Sequence, residues 1–171
     1  MTHLAITVLG HDRPGIIAQT AALLADARMN LEDSTMTLLR GHFAMTLICT
    51  GAAAAAEIEQ ALQPLLDGTL SVRVVELPSE ADVPPVSESV LVTVHGADRL
   101  GIVARLAQVV AEAGGNITDL TTRLSGELYV LAAEVDLPAG TSCASLGELL
   151  RPAAAELGVD AAVRPLDRDD L

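Results

Sequence analysis

Three observations in this sequence predict an α+β fold of two tandem βαββαβ ferredoxin-like units, each an antiparallel sheet with helices on one face. The chain repeats itself, a stretch rich in proline and serine separates the repeats, and strand-like and helix-like hydrophobic periods follow one order in both copies. Residues 4–38 set over residues 90–124, at a constant offset of 86 and with no gap, align Gly10, Asp12, Arg13, Gly15, Ile16 and Ala18 with Gly96, Asp98, Arg99, Gly101, Ile102 and Ala104. Asn30, Asp33, Thr35 and Leu38 likewise meet Asn116, Asp119, Thr121 and Leu124, and the one phenylalanine, Phe43, meets the one tyrosine, Tyr129.

The elements follow in order. Leu4 to Leu9 and Val90 to Val94 are β-branched and alternate in polarity, giving a first strand expected to stop at a glycine. Apolar residues at helical spacing then run from Gly15 to about Arg28 and from Gly101 to Ala113, with Pro14 suited to a first helical turn and Gly114-Gly115 to a stop. Leu31 to Leu39 and Ile117 to Leu124 alternate and are rich in threonine, as befits a strand with one wetter face. Arg40-Gly41 and Ser125-Gly126 read as hairpin turns into third strands over His42 to Cys49 and Glu127 to Val135. Second helices are expected over Ala53 to Leu66 and Ser145 to Leu157, crossed by Pro64 and Pro152, and fourth strands over Thr69 to Leu77 and Val159 to Pro165. The domains are thus residues 1–77 and 90–166, joined by a linker at 78–89 and followed by an acidic tail at 167–171. Units this small are near the lower limit for an independent core, so the halves are expected to pack on each other.

Composition excludes several function classes. The 171 residues carry 10 basic and 23 acidic side chains, a net charge of −13, and every basic residue is arginine. Without lysine there is no Schiff-base lysine and no Walker-type phosphate loop. An acidic surface repels phosphates, and two aromatic residues give single strands nothing to stack on, so direct nucleic-acid binding is not expected. Cys49 and Cys143 belong to no CxxC or Cys/His cluster and read as small buried hydrophobes of a reducing compartment. The N-terminus has no signal-peptide pattern and no apolar run reaches the length of a membrane span, so the protein is expected to be cytoplasmic and free of membranes.

The segment between strand one and helix one carries the most chemistry. Gly10-His11-Asp12-Arg13-Pro14-Gly15-Ile16 and Gly96-Ala97-Asp98-Arg99-Leu100-Gly101-Ile102 place glycines where the backbone must turn, ahead of free N–H groups at a helix start that favour a carboxylate. Asp12 and Asp98 either cap these helices or meet a ligand, and the two roles are compatible. Asn30 and Asn116, at the junction of helix one and strand two, serve either as a left-handed helix stop or as a paired donor and acceptor for an amino acid. Asp33 and Asp119 follow on a solvated strand. Side chains at Ile16, Ile17 and Met36 would line such a pocket.

The pattern G-x-D-R-[P/L]-G-I-[I/V] after a short strand, then N-[L/I] opening the next strand, resembles the ACT domain in both halves, over nearly the whole chain. What the resemblance implies is a non-catalytic regulatory protein that binds a small amino acid and acts through a regulatory protein partner, with a homodimer as the expected assembly. In ACT domains that bind effectors, the loop of one unit and the start of strand two of a neighbouring unit enclose the amino acid. Position by position this implies Gly10, His11, Asp12, Arg13, Pro14, Gly15 and Ile16 with Asn30, and Gly96, Ala97, Asp98, Arg99, Leu100, Gly101 and Ile102 with Asn116. The copies depart from each other at His11 against Ala97 and Pro14 against Leu100, which sets their occupancy apart.

Catalysis has little support: His11 beside Asp12 is the one candidate base, and the second copy lacks the histidine. His3, His42 and His95 have no i, i+4 partner and no nearby cysteine, so neither metal nor cofactor is expected. The competing reading is a ligand-free adaptor whose sheet edges pair with another protein.

Overall fold

The computed structural model describes residues 1–78 and 85–166. Half of the expected linker, residues 79–84, and the whole acidic tail, 167–171, lie outside the described residues. The chain divides into two compact units, Met1–Asp82 and Val83–Leu171. The first contains β1 (Thr2–His11), α1 (Ile16–Asp26), β2 (Asn30–Leu39), β3 (His42–Gly51), α2 (Ala55–Ala61), a 3₁₀ turn (Gln63–Leu65) and β4 (Leu70–Glu76). The second contains β5 (Glu88–Ala97), α3 (Ile102–Glu112), β6 (Asn116–Ser125), β7 (Leu128–Leu137), α4 (Cys143–Leu157) and β8 (Val159–Pro165). Both units realise the predicted βαββαβ order, with sheet orders β2-β3-β1-β4 and β6-β7-β5-β8 and every pair antiparallel.

Alternation in sequence becomes two-sidedness in space. Leu4, Ile6 and Val8 of β1 and Phe43, Met45, Leu47 and Cys49 of β3 are buried together with Ile16 and Leu24 of α1, Ile58 of α2, and Leu62 and Leu65. In the second unit Val90, Val92 and Val94 meet Leu131, Ala133 and Val135 beneath Ile102, Leu106, Val109 and Val110 of α3 and Leu146 and Leu150 of α4. The intervening residues face away from the helices, as the period of two requires. Of the cysteines, Cys49 is buried as expected while Cys143 is only half-buried, and burial raises both thiol pKa values. β2 and β6 form one edge of each sheet, and each carries a bulge at the same place, between Leu31 and Asp33 and between Ile117 and Asp119.

Four expectations are corrected. The first strands do not stop at their glycines: Gly10 pairs with Phe43 and Leu70, and Gly96 with Tyr129 and Val159, so each continues to residue 11 or 97. Pro14 precedes α1 and stands outside its first turn, because the helix begins at Ile16 behind Gly15. The first unit's second helix ends at Ala61, and Pro64 lies in the separate 3₁₀ turn, whereas α4 carries Pro152 in its interior without breaking. The second hairpin turn is Gly126-Glu127, one residue later than expected, since β6 runs to Ser125. The first is Arg40-Gly41 with both residues at positive φ, 51° and 83°, the combination a two-residue hairpin favours.

Candidate functional site

The loop from Asp12 to Gly15 is fixed at its start by backbone. His11 N–H donates to the Thr69 carbonyl at 3.2 Å and Asp12 N–H to the Gly41 carbonyl at 3.2 Å. Gly15 then adopts φ 90° and Gly101 φ 91°, a left-handed conformation at the helix N-cap that glycine takes at little cost. The capping reading of Asp12 and Asp98 is therefore overturned: the cap is a glycine three residues later, and neither helix has a side-chain capping bond. The left-handed stop after helix one is likewise not the asparagine but Arg28, at φ 57°, and Gly114, at φ 76°, which frees Asn30 and Asn116 to open β2 and β6.

A cleft of about 410 Å³ opens beside this loop in the first unit, lined by Asp12, Arg13, Gly15, Ile16, Ile17, Ala18, Met36 and Phe43. The first intrahelical bond of α1 runs from Gln19 N–H to the Gly15 carbonyl at 2.9 Å, which leaves the N–H groups of Ile16, Ile17 and Ala18 without an intrahelical acceptor. Three of the cleft's residues thus bring orphan donors to it, and the helix N-terminus adds partial positive charge. Asp12 brings a carboxylate that has no side-chain hydrogen bond or ion pair among the described residues. The arrangement offers donors to an anion and an acceptor to a cation within one cleft.

Arg13, by contrast, is already engaged. Its Nε donates to Asp67 Oδ2 at 2.9 Å, and a terminal nitrogen reaches Gln19 Oε1 at 3.5 Å. Asp67 also accepts from the Thr69 hydroxyl and the Thr69 N–H, and these bonds, followed by Arg13, hold its carboxyl well below the usual carboxylate range. A carboxylate depressed in the folded state contributes stability that is complete above its unfolded value, about 4, and is lost as pH falls toward its folded value. Asp67→Asn is accordingly expected to lower the melting temperature slightly at neutral pH, with the gap to the parent closing below about pH 4. A melting series from pH 7 into acid checks this, and a gap that persists unchanged would exclude ionisation of Asp67 as its source.

Of the residues implied in the first unit, the cleft collects Asp12, Arg13, Gly15 and Ile16; Gly10 and His11 belong to β1, and Pro14 stands exposed in the turn. Asn30 is not near them. His11 pairs with His42 at one end of the sheet, whereas Asn30 and His3 both pair with Thr50 at the other, eight residues along β1 and roughly 26 Å away at strand rise. In the second unit Gly96 and Ala97 end β5, Asp98 and Arg99 are exposed, Leu100 is fully exposed, Gly101 caps α3 and Ile102 is buried as its first residue. Asn116 lines a different cleft of about 370 Å³ with Gly114, Asp136, Leu137 and Pro138, again at the end of the sheet remote from the loop. Each unit therefore supplies both halves of the implied site and holds them apart. Phe43 and Ala18, absent from the implied set, line the cleft; Phe43 could have been found from its place at the start of strand three, opposite Gly10.

Among the described residues no group of three or more His, Cys, Asp or Glu is placed to hold a metal ion, and no helix is long and apolar enough to cross a membrane.

Comparison with known proteins gives one family. The sequence profile of the ACT domain matches residues 2–73 and 88–164. A UPF0237 protein of Methanopyrus kandleri is 46% identical over 48 residues, a match that covers 28% of this chain and 53% of that protein, so the chain spans about half the length of that relative. The glycine cleavage system transcriptional repressor of Escherichia coli is 26% identical over 168 residues, covering 94% of this chain and 88% of that one. A crystal structure of an unknown protein from Galdieria sulphuraria matches with a TM-score of 0.81 and 26% identity, covering 97% of this chain and 99% of that chain.

Proposed function

The chain belongs to the ACT domain family, and on that premise we propose that it is a non-catalytic, cytoplasmic regulatory protein that binds a small amino acid and acts through protein contacts in transcriptional or metabolic regulation. Residues 1–77 and 90–166 are its two expected domains, and of the expected linker, 78–89, Glu88 and Ser89 already pair with Leu137 and Asp136 as the start of β5. The observation that carries this reading is the cleft beside Asp12, where an unpaired carboxylate faces the same space as three residues whose N–H groups are free. An amino acid has the two charges such a cleft can pair: loop and helix N–H groups receive its carboxylate, and Asp12 receives its ammonium. Both must be paired once water is displaced, which is why one kind of group would not suffice.

Asn30 and Asn116 complete such a site only from a neighbouring unit, since each lies at the far end of its own sheet. The homodimer expected from the family would supply that neighbour. The similarity over nearly the whole chain to a transcriptional repressor supports a role in control of expression, exercised on a protein partner because the −13 charge opposes direct contact with DNA.

Thermal melting of the purified protein against each of the twenty amino acids at millimolar concentration tests the reading. A hundredfold excess over the dissociation constant adds about 2.7 kcal/mol to the folded state, so a specific ligand produces a clear shift. Asp12→Asn is expected to weaken binding about ten- to hundredfold, the worth of a hydrogen bond to a charged group, while leaving the unliganded melting temperature nearly unchanged because Asp12 caps nothing. Unchanged affinity in that variant removes Asp12 from the site.

A second reading, a ligand-free adaptor, is favoured by one observation: the outward faces and edges of the sheets leave Leu9, Leu39, Leu128 and Val130 exposed. No shift with any amino acid would put it first.

A further inference from the structure

Away from its charged end the cleft beside the loop is walled by Ile16, Ile17, Ala18, Met36 and Phe43, all apolar. Resting on the amino-acid reading above, we propose that this wall selects amino acids with an aliphatic side chain, such as leucine, isoleucine, valine and methionine, over glycine and over those with polar or charged side chains.

Three observations carry the assignment. The first is exposure. Ile16 and Phe43 are each 1% exposed and form a floor packed into the core, whereas Ile17 and Met36 are 46% and 44% exposed. Two large apolar side chains thus stand half in water at one place, and a hydrocarbon laid over them removes that surface from water. Met36 adds an unbranched, flexible stem that adapts to branched and straight chains alike. The second is the lack of a polar partner for the ligand's side chain. Asp12 is taken by the ligand ammonium, and Arg13 is held by Asp67 and Gln19. A hydroxyl or amide would shed water there without gaining a hydrogen bond, and a second carboxylate would face Asp12 with no free cation to offset it. The third is that the fold does not require this wall to be apolar. In the second unit Thr122 and Tyr129 stand where the first has Met36 and Phe43, and Thr122 pairs with Leu131 just as Met36 pairs with Met45.

Calorimetric titration of the full chain with leucine, glycine, serine and glutamate, each alone, is the test. Leucine is expected to bind at least about tenfold more tightly than the other three. Met36→Thr and Ile17→Ser are each expected to narrow that preference by about three- to tenfold, the worth of a partly covered methylene or two. Their melting temperatures without ligand should stay within a degree or two of the parent, since both side chains are half in water. Tighter binding of glycine, serine or glutamate than of leucine overturns the selectivity and leaves the amino-acid reading standing. A preference unchanged in both variants overturns the assignment to this wall. Binding of none of the twenty amino acids ends the amino-acid reading and the selectivity with it.

Discussion

Gly10→Ala is expected to destabilise the protein by about 3 kcal/mol or more, a drop of roughly 6–12 °C in melting temperature for a chain of this size. The reason is proximity: a methyl group built on Gly10 would collide with the Thr69 carbonyl and come within 2.8 Å of Leu70 Cα and 2.9 Å of a Leu70 side-chain carbon. Backbone cannot swing aside as a side-chain tip can, because Gly10 is paired to Leu70 on one side and to Phe43 on the other. Relief therefore requires peeling β4 from β1, along with the Thr69 contact that anchors the loop. Gly41→Ala is the control, since Gly41 has φ 83° but nothing within 4 Å, and its cost should be that of a left-handed alanine, about 1–2 kcal/mol. Equal losses at the two positions, read by thermal or denaturant melting, would remove the close-approach argument.

Phe43→Ala is expected to cost about 3–5 kcal/mol. Phe43 is 1% exposed, packs in the first unit's core and also lines the cleft, so truncation opens a void beneath the proposed ligand as well as inside the domain. Stability and binding should fall together. Phe43→Leu keeps most of the apolar volume and is expected to cost less than about 1.5 kcal/mol while changing which amino acid binds best. The equivalent Tyr129 is only half-buried, so Tyr129→Ala should cost clearly less than Phe43→Ala. Denaturant melting of the three variants checks the order, and a Tyr129 loss equal to that of Phe43 would contradict it.

The element order was legible because every signal occurs twice. A threonine-rich alternating run such as Leu31 to Leu39 is ambiguous alone and much less so when Ile117 to Leu124 repeats it at the same place. Element ends were less legible where pairing decides them. Gly10 and Gly96 look like stops in one dimension, but neighbours on both sides keep them in the sheet, and their lack of a side chain is what lets β4 and β8 approach. Of the two roles open to Asp12, capping fails for a related reason: conformation at Gly15, rather than a side-chain acceptor, ends the loop and starts the helix.

The loop half of the candidate site could be read from the repeated G-x-D-R-x-G-I pattern. Its remoteness from Asn30 could not, because that depends on register: Asn30 follows helix one closely in sequence yet opens a strand that starts at the far end of the sheet. The opposite holds for His11 and His42, which are far apart in sequence and adjacent in space, since a central strand and a hairpin strand end at the same row.

The bulges in β2 and β6 have a consequence for how the molecules behave in a crowd. A sheet edge invites other strands to accrete on it, and proteins commonly deter this with edge lysines. This chain has none. Its deterrents are the kinks beside Leu31 and Ile117 and the carboxylates of Glu32, Asp33 and Asp119 on those strands. Protection against runaway polymerisation is thus vested in strand shape and in the mutual repulsion of exposed carboxylates, so salt, which screens such repulsion, is the condition that weakens it.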